Sequence, residues 1–315
     1  MQTTLDDNTG TVIFMFSVWL AIAFAAIFVS SEAFATSSRE VSLYVTVEDG
    51  DKIIGGLTER NFRLREQDRP RPFRLEPPET PSTIALLVEY SRSSWFYLND
   101  IISAMRGFVN VAPDGNWYAL ATFSHNLQID VDFTKQKGRL ASGFAELGQP
   151  TWNEVDTYDA VYHMLEKMER LPGRRVLIII GSGFDSFSSY VLGDVEKKIE
   201  SANVLVYGVG AGSMLRGQYE PYLGSSARMD LLRAEALLKM LADKSGGQAW
   251  FPRFEAAFQD VLEGVMQMLK FQYKMVYESQ IPSDGRFHKI QVEAFRVVED
   301  ERHDYKVRVR EGWRF

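Results

Sequence analysis

Residues 83–89 (TIALLVE) are almost unbroken apolar sequence, without the in–out alternation of a half-buried strand. A strand of that kind is covered by helices on both faces of its sheet. From Ser82 to about residue 270, strands like this one alternate with stretches of helical period. The spacing predicts helices over 95–109, 135–147, 157–171, 194–202, 231–244 and 253–269. Buried strands are expected at 83–89, 175–180 and 204–209, with a short strand at 248–251. Segments 116–123 and 127–133 read as an antiparallel pair around the turn Ser124-His125-Asn126. This succession predicts a doubly wound α/β domain over 82–269, which binds its ligands outside the carboxyl ends of its strands.

The flanks have a different pattern. Segments 41–47, 61–66 and 72–75 before the α/β stretch, and 271–277, 287–294 and 305–309 after it, are β-branched or alternating. Turns are marked by Asp49-Gly50-Asp51, Pro282–Gly285 and Glu299–Arg302, and Pro77, Pro78 and Pro81 stiffen the passage into the α/β region. Three strands on either side are too few for a core of their own. Together they predict a six- or seven-stranded sandwich built from 38–80 and 270–315, with the α/β domain inserted between the two halves. At the amino terminus, residues 12–29 form an apolar run interrupted only by Ser17. As a helix this run would reach about 27 Å, close to the thickness of a bilayer's hydrocarbon core. Ala33-Phe34-Ala35 follows, a small-x-small tripeptide like those that signal peptidase cuts, although the leader carries Asp6 and Asp7 and no basic residue. Residues 1–36 therefore read as a signal peptide or a retained membrane anchor. The protein is expected to be exported, periplasmic or at the cell surface.

Composition narrows the chemistry. The 315 residues are 45% hydrophobic and carry a formal net charge of −7, so no basic field is available to hold nucleic acid. Cysteine is absent, which removes disulfides, thiolate metal sites and cysteine nucleophiles. Neither glycine-rich nucleotide-binding motif occurs. Gly181-Ser182-Gly183 lacks the outer glycines of a nucleophile elbow, since Ile180 and Phe184 stand there. His125, His163, His288 and His303 are scattered over different elements and have no metal-type spacing. The sequence selects no catalytic residues and predicts a protein that is not an enzyme.

The end of the first buried strand carries more specific information. Glu89, Ser91 and Ser93 alternate there, and a carboxylate with two hydroxyls can offer a hard cation three oxygens from one short loop. The segment resembles the Asp-x-Ser-x-Ser motif of von Willebrand factor A (VWA) domains, with Glu89 in the Asp position. Thr157-Tyr158-Asp159-Ala160-Val161 resembles the helix start that follows the metal-site Thr of that family. Leu177–Asp185 (LIIIGSGFD) is similar to its apolar strand ending in Ser/Thr-Asp-Gly-x-Asp. The flanks, with Leu43–Val47, Gly56-Leu57, Asn61-Phe62 and Tyr305–Trp313, resemble bacterial VWA-related proteins abundant in Acidobacteria; the likeness covers residues 40–315. The resemblance implies a magnesium or manganese site at Glu89, Ser91 and Ser93, completed by a Thr and an Asp from two further loops. Those two positions fall on Val155 and Ser182. The expected site is thus degenerate and no cofactor is expected; Ser91 and Ser93 would cap backbone N–H groups, with Ser182 or a water as the partner of Glu89. The alternative is a repaired magnesium site using Glu89, Ser91, Ser93 and either Asp156 or Asp185.

A module of this family implies a protein partner, met by the rim formed from 90–94, 152–157 and 182–186. Tyr90, Arg92, Ser94, Trp152, Asp156, Phe184 and Asp185 are the expected contact residues, since exposed aromatics beside arginine recur at interface hot spots. Trp95 and Phe96 read equally well as the buried face of the first helix. The segment 211–228 carries no clear element and is expected near the same rim. A further reading makes the chain a structural subunit of a membrane complex, anchored through 12–29.

Overall fold

The computed structural model describes residues 38–211, 222–253 and 257–315; the apolar segment 12–29 lies outside the described residues. Along the chain come strands β1 (Arg39–Asp49), β2 (Lys52–Ile53), β3 (Phe62–Glu66), β4 (Arg69–Pro70) and β5 (Phe73–Glu76). The middle holds β6 (Thr83–Glu89), helix α1 (Trp95–Val111), β7 (Trp117–Phe123), β8 (Leu127–Thr134), α2 (Gly138–Glu146), α3 (Thr157–Glu169), β9 (Arg175–Gly181), α4 (Leu192–Ser201), β10 (Leu205–Gly210), α5 (Ser225–Ser245), β11 (Ala249–Trp250) and α6 (Ala257–Phe271). It closes with β12 (Tyr273–Ser279), β13 (Phe287–Val298), β14 (Glu301–Arg308) and β15 (Gly312–Arg314). Among the described residues no helix is long and apolar enough to cross a membrane.

The central sheet runs β8-β7-β6-β9-β10-β11, all parallel except the edge strand β8. In chain order this is the doubly wound arrangement 3-2-1-4-5-6, whose winding reverses between β6 and β9. The apolar run of β6 is explained by its two neighbours: Ile84, Leu86 and Val88 enter a core beneath α1 and α6, while Ala85 and Leu87 enter a second core beneath α3, α4 and α5. Strand β9 splits in the same way, with Val176, Ile178 and Ile180 on one side and Leu177 and Ile179 on the other. The hairpin turn at 124–126 joins β7 to β8 as expected. Helix α5 begins at Ser225, six residues before the periodicity predicts, and 212–221 of the expected rim loop lie outside the described residues.

The flanks meet in one nine-stranded antiparallel sheet of order β4-β3-β13-β14-β1-β12-β5, with β15 on β13 and β2 on β1. The sandwich takes the form of a single rolled sheet. Phe62 of β3 and Tyr273 of β12 have ring centroids 5.2 Å apart, although three strands separate them in the hydrogen-bonded order. In a flat sheet, four strand spacings would hold them about 19 Å apart. The Tyr277 hydroxyl likewise crosses the roll to Glu66 at 2.8 Å. The extra strands relative to the sequence reading are pieces of two or three residues (β2, β4, β15), too short to carry a periodic signal. The turn of the β13–β14 hairpin has Glu299 and Asp300 at φ 51° and 66°, the left-handed pair that matches the twist of the strands.

Rolled sheet and α/β layers form one compact unit over Ser38–Phe315. Much of the joint is polar. Arg310, buried, gives hydrogen bonds to the carbonyls of Glu200 (2.8 Å), Ala202 (3.2 Å) and Ile199 (3.4 Å), so the orphan carboxyl end of α4 is capped from the other sheet. Its guanidinium also lies 3.2 Å from the Trp313 ring centroid.

Candidate functional site

The parallel register pairs Val88 with Ile180, so the side chain of Glu89 emerges beside Gly181 at the switch point. The contact is close: a Cβ at residue 181 would lie 2.8 Å from Glu89 Cβ and 2.9 Å from its Oε2. Glu89 is fully buried. Its Oε2 accepts from both the backbone N–H and the hydroxyl of Ser182, each at 2.6 Å, and Oε1 accepts from the Ser91 hydroxyl at 3.0 Å. Ser91 in turn sits 2.6 Å from the Ser93 hydroxyl. Its oxygen also takes the Ser94 N–H at 3.2 Å while the Ser94 hydroxyl accepts the Ser91 N–H at 3.0 Å, a reciprocal cap on the 3-10 turn 92–94 that leads into α1. The Ser182 partnership expected for Glu89 and the capping role of Ser91 are both present.

The second and third loops are bound to one another. Val155 stands at the expected Thr position with its side chain buried. Asp156, also buried, accepts from the Phe187 N–H (3.2 Å) on one oxygen and lies 3.0 Å from Nδ1 of His125 on the other. Asp185 accepts the Tyr158 N–H (3.0 Å) and the Ser188 hydroxyl (2.6 Å). Asp159 accepts the N–H groups of Ser189 (3.0 Å) and Tyr190 (2.8 Å). Thr157 gives its hydroxyl to the Phe184 carbonyl. First-turn N–H groups of α3, which have no intrahelical partner, are thereby satisfied by the loop that follows β9. Glycine at 183 is required where that loop crosses α5: φ is +79° and a Cβ would fall 2.4 Å from the Ala234 carbonyl oxygen.

A magnesium-type cation asks for near-octahedral oxygen donors, with carboxylates supplying much of the affinity. Here Glu89 is the single acid joined to the Ser91–Ser93 hydroxyls, and its two oxygens already receive three short donors. Asp156 and Asp185 are committed to backbone N–H groups, His125 and Ser188. No cluster of three acidic or histidine side chains with the geometry of a metal site occurs among the described residues. The donors present do not fit the ion that the sequence motif implies.

Around this buried centre the loops carry exposed aromatics. Trp95 at the start of α1 is 53% exposed, Trp152 before α3 is 51% exposed, and Phe187 after β9 is 74% exposed. Trp95 therefore is not part of the buried face of its helix. Arg92 is exposed beside them, its backbone N–H on the Trp152 carbonyl at 2.8 Å. Of the other contact residues expected from sequence, Tyr90 is half-buried and gives its hydroxyl to the Gly148 carbonyl, and Phe184 and Asp185 are half-buried. Ser94 and Asp156 are buried, so they shape the rim from below instead of presenting themselves on it. Phe187 escaped the sequence reading because a lone phenylalanine among serines has no period. His125, which has no spacing partner in the sequence, lies with its ring centroid 5.3 Å from that of Trp152, the two planes tilted by 42°. Beneath Trp152 a cleft of about 430 Å³ opens between Thr122–Gln128 and Leu147–Trp152, with Tyr90 on its wall. Nearby, burial raises the Asp130 carboxyl above its usual range, and its Oδ2 is buried without a hydrogen bond.

No protein-family profile matches the chain, and no curated protein matches it in sequence. Solved structures do resemble it. A von Willebrand factor type A protein from Catenulispora acidiphila is 10% identical with a TM-score of 0.47, the match covering 88% of this chain and 70% of that one. An aerotolerance-related membrane protein from Bacteroides fragilis is 10% identical at a TM-score of 0.46, covering 60% of this chain and 98% of the other. BatB, a conserved hypothetical protein from Bacteroides thetaiotaomicron, is 15% identical at 0.44, covering 60% and 99%. At these identities the likeness is one of fold alone. Strand order, the antiparallel edge strand and helices on both faces make the central domain a doubly wound α/β fold.

Proposed function

We propose that this chain is a non-enzymatic protein-interaction module of the VWA-related kind, with a degenerate metal site. In this reading it is exported, held at the membrane through residues 12–29, and meets its partner at the rim above Glu89 without a bridging cation. The observation that carries the reading is the set of three exposed aromatics bordering the switch point: Trp95 at the start of α1, Trp152 on the loop before α3 and Phe187 on the loop after β9. Large apolar side chains on loops held by a rigid scaffold are the usual anchors of an interface, and Arg92 beside them adds the other favoured residue type. The lock of Asp156, Asp159 and the Tyr158 N–H onto the 182–190 loop supports it too, because loops fixed beforehand lose little entropy on binding. A catalytic role lacks support: His125 meets Asp156, but among the described residues no hydroxyl hydrogen-bonds its Nε2.

The test is affinity co-purification of the tagged full chain from gently solubilised membranes, washed with and without EDTA. A specific partner should survive EDTA and be lost on Trp152→Ala combined with Phe187→Ala. Loss of the partner in EDTA would restore the metal-dependent reading and make Glu89 and Ser91 the residues to mutate. Capture unaffected by both aromatic substitutions would move the interface away from this rim.

A further inference from the structure

Strand β9 ends beside Glu89; at its other end, next to Arg175, lies a second buried charge. Arg174 is 7% exposed. Its Nε donates to the Ser82 hydroxyl at 2.9 Å, and Nη1 to the Leu269 carbonyl at 2.8 Å and to Gln272 at 3.5 Å. Nη2 makes no hydrogen bond, and no carboxylate pairs with the guanidinium among the described residues. The acid whose charge it senses, Glu79, is held by the Tyr44 hydroxyl at 2.5 Å and by Lys274 at 2.7 Å. A buried cation with no carboxylate in contact is costly, and burial presses this guanidinium below its usual pKa.

Arg174 lines a cleft of about 670 Å³ at the amino-terminal edge of the central sheet, between the ends of α1 and α6. Ile84, Val111, Met266 and Leu269 give it an apolar wall. Lys270 lines it as well and, like Arg174, has no carboxylate partner among the described residues. The acid at the cleft, Asp114, is exposed and taken by Lys137 at 2.8 Å.

We propose that this cleft binds a small organic carboxylate with an apolar body, its oxygens on Arg174 Nη2 and Lys270 and its body against Val111 and Met266. The volume is that of a small-molecule site, and an apolar wall with a few polar anchors is the usual composition of one. Charge-assisted hydrogen bonds to guanidinium and ammonium favour a carboxylate over a neutral isostere. One unfilled guanidinium nitrogen and one ammonium offer donors enough for the two oxygens of a carboxylate but few for the several oxygens of a phosphate. This site is separate from the rim and does not depend on the partner proposed there.

The test uses the full chain in lipid nanodiscs and ligand-observed NMR with phenylacetate and its neutral isostere phenylacetamide. Phenylacetate should bind saturably and at least about tenfold tighter than the amide. Val111→Trp, which fills the mouth, should abolish binding, Lys270→Gln should weaken it several-fold, and Trp152→Ala should leave it unchanged. Arg174→Gln should erase the preference for the anion. If that variant does not fold, the Val111 and Lys270 variants decide the matter. Equal binding of the two ligands, no saturation by about 10 mM, or indifference to Val111→Trp would each overturn the proposal.

Discussion

Glu89 and Gly181 occupy one another's space: the position a Cβ would take at 181 is filled by the Glu89 side chain, 2.8 Å from its Cβ and 2.9 Å from Oε2. Ala at 181 must therefore push a buried carboxylate off Ser182 or bend β9 away from β6. Overpacking of this kind costs about 1–3 kcal/mol. Chemical denaturation of Gly181→Ala should show a loss in that range. In a Glu89→Gly background the additional cost should largely vanish, since Cβ and Oε2 are both gone and contacting residues couple. Additive losses would mean that the strain arises elsewhere in β9.

Glu89→Asp moves the chain toward the residue that VWA domains carry at this position, and it should nevertheless destabilise. The side chain shortens by one methylene, which draws the carboxylate away from the two 2.6 Å donors on Ser182 while leaving it buried. Hydrogen bonds to a charged group contribute about 1.5–3 kcal/mol each, and an unsatisfied buried carboxylate adds its desolvation cost. A denaturation midpoint well below wild type is expected. Millimolar magnesium or manganese should not raise the midpoint of the wild-type chain: a cation stabilises by mass action only where the native state binds it, and the oxygens of Glu89 are already taken by Ser182 and Ser91. A metal-dependent rise in Tm would show that the loops rearrange into a cation site.

Legibility followed periodicity. Strand β6 was readable to the residue because it is apolar on both faces, and β7, β9 and β10 were placed to within a residue at each end for the same reason. Glu89, Ser91 and Ser182 were readable as a group through the resemblance to the VWA motifs, which implies that the two strand ends share one site. What the sequence hid depends on three-dimensional closure. The rolling of the flank sheet is set by contacts such as Phe62 with Tyr273, which lie more than 200 residues apart. Short strands such as β15 exist only because β13 offers an edge. Arg174 carried no signal, since its burial depends on where α6 ends. Asp156 and Ser94 looked like surface chemistry in the sequence and are buried because loops from other strands close over them.

Acid should weaken the rolled sheet first. Burial works against ionisation at Glu48 and at Glu79, and the groups beside them more than reverse it: Lys306 and Arg308 at Glu48, Lys274 and the Tyr44 hydroxyl at Glu79. Both carboxyls are held below the ordinary 4.5. For an acid whose folded pKa is depressed, the stabilisation is complete above the unfolded value and is lost as pH falls through the folded one. Unfolding free energy should thus drop as pH falls below 4.5, and less steeply in Glu48→Gln, which should be less stable than wild type at pH 7. Asp130 carries the opposite sign, since burial raises it above 3.8 and its Oδ2 has no hydrogen bond. Asp130→Asn should raise the midpoint at neutral pH, with the two proteins converging on acidification. A stabilisation that persists at pH 3 would assign the gain to packing.

Arg310 should be among the most costly residues to replace, although it lies in neither sheet's apolar core. Its guanidinium donates to the Ile199, Glu200 and Ala202 carbonyls at the end of α4 and to the Gly312 carbonyl at 2.8 Å, while Trp313 covers its face. Neighbouring Arg314 reaches Glu200 at 2.7 Å, and Lys244 reaches the same carboxylate at 2.9 Å, so the end of α4 is the node where α5, β15 and the rolled sheet are tied. An arginine can satisfy several carbonyls at once because its five N–H donors form a planar fork; lysine offers a point charge and cannot reproduce the pattern. Arg310→Lys and Arg310→Met should each strip donors from buried carbonyls. Each buried carbonyl left without its donor costs about 1–3 kcal/mol. Because the contact joins the two sheets, wild type should unfold in one cooperative transition. In Arg310→Met, the assigned fluorine resonance of Trp313 in protein labelled with 5-fluorotryptophan and the far-ultraviolet circular dichroism of the helices should separate into two transitions. Coincident transitions with a loss below about 1 kcal/mol would show that the apolar joint between the layers, including Tyr44 packed into the core beneath α1 and α6, suffices to hold them.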